Sequence, residues 1–283
     1  MRESIHSFGS SANLIGVLTQ PDDTKELSNS PVVLLLNAGL LNRVGPFRLY
    51  VVLARILANK GLSSFRLDLS GIGDSQRHED NRPRGEQHVA DIRETIEFLT
   101  ESKGARSFVV MGICTGADLA HKSIIENQRI RGAICIDGYS YPTLRYYLNC
   151  YLPKFIRRTS WNNLASRVFS GRGVSVDYPD NVGDNDLLSY RWELPPKVKT
   201  RADFAELIKR DARMLCIYTA GWPYNYTQQL EDAFRPLKFG RVIRLVFLNN
   251  ATHTFKVFED RDILISTILE WLIDPDVIAR IYD

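Results

Sequence analysis

An α/β fold, a mostly parallel central sheet with helices on both faces, is predicted by three features of the sequence. Apolar runs of strand length alternate with segments of helical periodicity along most of the chain. Most of these runs are apolar at successive positions, as strands covered by helix layers on both sides must be. One of them, "SFVVMGIC", leads through the turn "GICTGA" directly into a helical segment.

The elements follow in order. "PVVLLLNAG", residues 31–39, is the first strong strand. "GPFRLYVVLARILANKG" reads as a helix that Pro46 can start and Gly61 can end. "LSSFRLDLSG" is a second strand, with a polar loop running to about residue 84. Residues 86–103 place Val89, Ile92, Ile96 and Leu99 on one helical face. "SFVVMGIC" is then a strand, 116–127 a helix, and 131–137 a strand. Further strands are expected at 213–220 and 241–248, with helices near 224–235 and 259–272. Residues 138–205, rich in Tyr, Arg, Asn and Pro, break this rhythm. They are too long for a plain connection and read as an inserted, partly helical lid, leaving 1–137 and 206–283 as the core.

Composition narrows the function classes. A net charge of +3 over 283 residues points to neither nucleic acid nor a membrane surface as partner. No run approaches the ~18 apolar residues of a membrane helix, and the N-terminus lacks a secretory pattern. The four cysteines, Cys114, Cys135, Cys150 and Cys216, form no CxxC pair. Free thiols and a cytoplasmic location are therefore expected. No P-loop, HExxH, dinucleotide fingerprint or Cys/His zinc spacing is present, so no cofactor or metal is expected.

The chemistry is expected to centre on Cys114. A strand, G-x-nucleophile-x-G and a helix form a sharp elbow whose flanking positions must be small, and Gly112 and Gly116 meet that need. The helix N-terminus then favours an anion at the thiol. The alternative is a small buried hydrophobe in a tight turn. Among five histidines, His253 in "LNNATHTF" falls between the last strand and the last helix, at the carboxyl edge of the sheet. It is the expected base. The acid is harder to place, because the loop after 213–220, "TAGWPYNYTQQ", holds no carboxylate and Glu231 and Asp232 lie further on. Asp137, ending the strand that follows the elbow, is the better candidate, although Asp137-Gly138 is also an ordinary turn dipeptide. Backbone N–H groups of Thr115 and Leu40 are the expected oxyanion donors, with Asn37, Asn42 and Arg43 lining the same rim. Tyr139 and Tyr141 begin an aromatic stretch, "YSYPTLRYYLNCYLPKFIRR", that would line an acyl pocket. Its basic residues Arg145, Lys154, Arg157 and Arg158 suit phosphopantetheine or an acidic carrier protein. An amphipathic lid helix with a solvated basic face explains the same pattern and is the preferred reading.

The segments "LLNAGLLNRVGPFRLYVVLARILANKG", "FRLDLSGIGDS", "GICTGA", "DGYSYPTLRYYL" and "ATHTF" resemble the α/β-hydrolase superfamily. They are particularly similar to small hydrolases found beside exosortase, polysaccharide or polyketide gene clusters. The resemblance covers nearly the whole chain and is weakest over residues 150–200. It implies an α/β-hydrolase fold with the order nucleophile, acid, histidine. It also makes the Asp68–Ser75 motif a structural loop, with no catalytic role for Asp68 or Asp74. Thioesterase domains of polyketide and peptide synthetases place their acid after the strand following the elbow, which supports Asp137. A cysteine nucleophile resembles dienelactone hydrolase-like enzymes and a minority of thioesterases.

The expected activity is acyl transfer by a thioesterase, esterase or acyltransferase through an acyl-cysteine. The substrate is a small-molecule or carrier-bound acyl group, with an acyl carrier protein as a candidate partner. Two other readings stay open. One is an elimination or cyclisation in which His253 and Asp137 act as base without a covalent bond to Cys114. The other is a non-catalytic acyl- or ligand-binding protein.

Overall fold

The structure is a computed structural model describing residues 1–10, 13–22, 27, 30–156, 194–220 and 223–282, with the side chains of 152–156 excepted. Eight strands form one sheet: β1 (Arg2–Phe8), β2 (Leu14–Gln20), β3 (Val32–Leu35), β4 (Ser63–Asp68), β5 (Phe108–Ile113), β6 (Ile130–Ile136), β7 (Arg213–Ala220) and β8 (Ile243–Thr252). Their order is β1-β2-β4-β3-β5-β6-β7-β8. The first two strands are antiparallel to their neighbours and the rest are parallel. The helices are α1 (Leu49–Asn59), α2 (Arg84–Lys103), α3 (Thr115–Glu126), α4 (Leu144–Ile156), α5 (Lys197–Arg210), α6 (Gln229–Ala233), α7 (Phe258–Leu272) and α8 (Pro275–Ile281).

Strand alternation divides the core into two layers. Val32, Leu34 and Val110 face one side, where Ile92, Ile96 and Leu99 of α2, Leu119 and Ile124 of α3, and Phe204 and Leu207 of α5 pack. Val33, Leu35, Val109 and Met111 face the other, under α1, α7 and α8. This two-sided burial is why the central strands read as continuous apolar runs. β3 has β4 on one side and β5 on the other, so the connections after β3 and β5 leave toward opposite layers. Their carboxyl ends are the topological switch point, where sheets of this kind bind ligands.

Several boundaries depart from the sequence pattern. The pattern passed over β1 and β2. β1 is an edge strand whose alternate residues face solvent, and β2 contains Gly16, whose missing side chain leaves room for the Phe65 ring. β3 is four residues long, although the chain stays tied to β5 through Leu36 N–H and Met111 O at 2.9 Å. Pro46 starts a 3₁₀ turn, Pro46–Arg48, and α1 begins only at Leu49, because Phe47 and Arg48 take positive φ. The short α6 replaces the longer helix expected near 224–235, and α8 was not anticipated.

Both ends of the 138–205 segment pack on the core. Tyr139 and Tyr141 are buried in the core, and α5 from Lys197 onward packs on it through Thr200, Phe204 and Leu207. Residues 157–193, most of the expected lid, lie outside the described residues. Among the described residues no helix is long and apolar enough to cross a membrane.

Candidate active site

Cys114 sits between β5 and α3 with φ 55° and ψ −119°, a conformation an L-residue adopts only when its surroundings enforce it. The surroundings are close-packed backbone. A Cβ at Gly112 would overlap the Gly116 carbonyl, and a Cβ at Gly116 would stand 2.5 Å from the Asn37 carbonyl oxygen. Both glycines are therefore required by contact. The Cys114 N–H donates to Ile136 O at 2.9 Å, and its carbonyl accepts from Ala117 N at 2.9 Å, which fixes the turn at both ends. The thiol is left partly exposed at the start of α3.

His253 follows β8 directly. Thr219 pairs with Leu248 and Ala220 with Thr252, so residues 249–251 bulge from the β7–β8 ladder and carry the histidine out over the sheet edge. Beyond it, buried Phe255 at φ 50° donates its N–H to Thr252 O at 2.9 Å and anchors the loop. His253 Nδ1 lies 2.7 Å from Asp137 Oδ2. A side-chain hydrogen bond joins the ring to Cys114. With Nδ1 on the carboxylate, Nε2 is the nitrogen left for the thiol. The hydrogen bond to Asp137, then the one to Cys114, push the His253 pKa up from 6.5 to about 10 against the opposing effect of burial. An imidazolium so held stabilises a neighbouring thiolate.

Asp137 is fully buried. A buried carboxylate needs donors on both oxygens. Oδ1 accepts from Thr219 N–H and Oδ2 from the Thr219 hydroxyl, each at 2.7 Å. Thr219 lies near the end of β7 and carries no charge, so residue order alone does not mark it as a partner of the acid. The other acids near it are engaged elsewhere: Asp232 accepts from Tyr226 Oη at 3.0 Å and pairs with Arg235, and Glu231 accepts from Phe239 N–H at 3.4 Å.

The loop after β3 reaches the elbow from the other side. Gly39, at φ +58°, donates its N–H to Thr115 Oγ1 at 2.9 Å. Leu40 comes next, its side chain exposed. Among the described residues, the N–H groups of Leu40 and Thr115 have no protein acceptor. The rim residues need correcting. Asn37 is buried, donating to Leu41 O at 2.9 Å and accepting from Leu69 N–H at 2.8 Å. Arg43 is bound to Asp68 and Asp74. Both side chains are spent on holding the loop. Asn42 caps its own turn by accepting from Val44 N–H at 3.2 Å.

Tyr139 and Tyr141 are buried. Tyr139 packs edge-on against His121. Tyr141 Oη donates to Pro195 O at 2.8 Å and its ring meets Phe234, so both are core tyrosines. Arg145 stacks over the Tyr226 ring at 4.4 Å, and Arg157 and Arg158 lie outside the described residues.

Comparison with solved structures gives the fold. The chain superposes on the α/β-hydrolase GrgF from Penicillium sp. sh18 with a TM-score of 0.60 at 13% identity, covering 100% of both chains. It matches a dienelactone hydrolase from Anabaena variabilis ATCC 29413 at TM-score 0.57 and 16% identity, over 96% of this chain and 97% of the other. A thioesterase domain from the curacin biosynthetic pathway gives 0.52 and 17%, over 95% and 99%. Curated proteins give no match. The family Hydrolase_4, serine aminopeptidase S33, matches residues 39–237, a span that includes the elbow and Asp137. The family is named for serine, and position 114 holds cysteine. By that match over most of its length, the chain belongs to the serine aminopeptidase S33 family of α/β-hydrolases.

Proposed function

We propose that the protein is an acyl-transfer enzyme acting on ester or thioester bonds, a thioesterase, esterase or acyltransferase, through an acyl-cysteine on Cys114. The observation that carries this reading is the hydrogen-bonded chain from Cys114 through His253 to the fully buried Asp137. Family membership supports a hydrolase, and the structural neighbours include a dienelactone hydrolase and a thioesterase domain.

The steps follow from the geometry. Cys114 Sγ, its proton held on His253 Nε2, attacks the acyl carbonyl and forms a C–S bond. The negative charge moves to the carbonyl oxygen, which accepts from the N–H groups of Leu40 and Thr115. The tetrahedral adduct collapses, the bond to the leaving oxygen or sulfur breaks, and His253 returns the proton to that atom. A water, alcohol or amine then enters, gives its proton to His253 and attacks the thioester. On collapse the C–S bond breaks and Cys114 leaves as the thiolate. Asp137 keeps the ring in one tautomer and stabilises its cation throughout. A thioester intermediate conserves acyl energy, so cysteine suits transfer as well as hydrolysis. The acyl group arrives as a small molecule or on a carrier protein.

The test is intact-protein mass spectrometry after incubation with activated acyl esters and acyl-thioester mimics. Wild type is expected to gain a mass adduct on Cys114, and Cys114→Ala and His253→Ala to gain none. Turnover by Cys114→Ala at the wild-type rate would exclude the covalent mechanism.

A further inference from the structure

Asp68 is a buried carboxylate outside the triad with partners on two loops. Its carboxylate is fully buried on the last residue of β4 and makes no contact with Cys114, His253 or Asp137. Its partners lie on two loops. Oδ1 accepts from Arg43 N–H at 2.6 Å and from Asn37 Nδ2 at 3.3 Å. Oδ2 accepts from Asp74 N–H at 3.1 Å and from the Arg43 guanidinium. That guanidinium also grips Asp74 Oδ2 at 2.7 Å. Burying a carboxylate is costly, and a turn needing only shape is made as well by an uncharged residue. The charge therefore calls for an account of what it holds.

What it holds is the segment carrying Leu40. On this loop the N–H of residue 39 goes to Thr115 Oγ1, that of 41 to Ala38 O at 3.1 Å, and that of 43 to Asp68. The Leu41 carbonyl is held by Asn37, itself bound to Asp68. The apolar side chains of Leu40 and Leu41 face solvent at 47% and 50% exposure, so packing does not anchor this stretch. Polar ties from beneath do. Oxyanion donors work only when preorganised, and a shift of well under an ångström is felt in the rate.

We propose that Asp68, with Arg43 as its counter-ion, is the positioning residue of the oxyanion loop and sets the rate of acyl-cysteine formation by fixing the Leu40 N–H opposite that of Thr115. This inference rests on the acyl-transfer reading. It assigns Asp68 no contact with substrate.

Two reactions at the same thiol separate this role from general support of the fold. Acylation by an activated ester builds an oxyanion. Alkylation by iodoacetamide is a direct displacement that builds none and reports only the Cys114–His253 pair. Both rates are measured by mass on the digested Cys114 peptide, since Cys150 is also a partly exposed thiol, for wild type, Asp68→Asn and Arg43→Ala, with Glu3→Gln as a control. Glu3 holds Arg55 and Arg66 at 3.0 and 3.2 Å on the far β1 edge, so its loss weakens the fold away from the site.

In Asp68→Asn, acylation is expected to fall about 30-fold or more, approaching the loss of one oxyanion donor, with alkylation within about twofold of wild type. Arg43→Ala should show the same split and decides the matter should Asp68→Asn not fold. Glu3→Gln should melt earlier and leave the ratio of the two rates unchanged. Equal losses in both reactions, or no loss in acylation, would overturn the positioning role. A wild type that alkylates but never acylates would instead sink the acyl-transfer reading and this inference with it.

Discussion

Asp137→Asn is the sharpest test of the proposed triad, because the change keeps the shape of the side chain and removes its charge. Asp137 meets Thr219 N–H at Oδ1, and both the Thr219 hydroxyl and His253 Nδ1 at Oδ2. In the variant the amide oxygen keeps the Thr219 N–H, so the NH₂ group faces His253. Nδ1 must then accept, which moves the ring proton to Nε2, toward Cys114, and removes the base. A second loss is the support of the cation. The His253 rise from 6.5 to about 10 is shared between Asp137 and Cys114. A third of the side chain faces water and is screened. We therefore assign the carboxylate about 2 kcal/mol, near 30-fold. Together with the misplaced proton, the acylation rate should fall about 10³-fold, somewhat less than the roughly 10⁴-fold loss that the same change causes in a serine triad. The assay is single-turnover acylation followed by mass, beside an NMR titration of His253 in a Cys114→Ala background. With Asp137 in place the midpoint should stand well above 6.5 there, and the added Asp137→Asn change should release it. Acylation within threefold of wild type with an unmoved titration would refute the assignment.

The raised His253 pKa also ties stability to pH. A group whose pKa is higher in the folded chain stabilises it fully below its ordinary value, here 6.5, and loses that contribution as pH climbs through about 10. The difference in melting temperature between wild type and His253→Gln should therefore shrink steadily over that interval, and a gap that widens would contradict the direction of the shift. Cys114→Ser puts the serine of the family name back into the elbow. The Cys114 share of the His253 shift is lost in this variant, but Asp137 still raises the ring's pKa, and a histidine held partly protonated is a poor base for a hydroxyl, so acylation at pH 7 should drop about tenfold and recover toward alkaline pH. Wild-type rates in the serine variant at pH 7 would show that His253 is neutral there.

Much of this site could be read from residue order because its parts stand where strands end. The pattern of β5, the two small flanking glycines and the loop position of His253 are local signals, and each survives in the structure. What escaped is long-range. Nothing around Asn37 or Arg43 says that their side chains turn inward to Asp68, 31 and 25 residues away. Tyr139 and Tyr141 look like pocket residues because they open an aromatic run. Their burial depends on α5 and on Phe234, which the chain supplies much later. Edge strand β1 was hidden by its half-exposed residues, and β2, between β1 and β4, by Gly16, which admits Phe65 and interrupts its apolar run.

The seat of Asp137, just past β6, follows from the register of β6 and β7. Ile136 pairs with Ile217, and Asp137 N–H donates to Ile217 O at 2.8 Å, so Asp137 stands one step beyond the last paired residue. Its φ of 50° swings the carboxylate sideways, over the end of β7, where Thr219 supplies both donors. The carboxylate thus lies beside the end of β7 although its backbone follows β6. The loop after β7 is left to structural work. Tyr224 stacks on Tyr218 with ring centroids 3.7 Å apart, and Gln229 Nε2 donates to Pro223 O at 2.7 Å. Asp232 belongs to the same framework through Tyr226 and Arg235. Asp232→Asn should accordingly cost about 1 kcal/mol of stability and leave single-turnover acylation within about twofold. A loss of tenfold or more, with the fold intact by circular dichroism, would place the working acid on the β7 side and displace Asp137 from the triad.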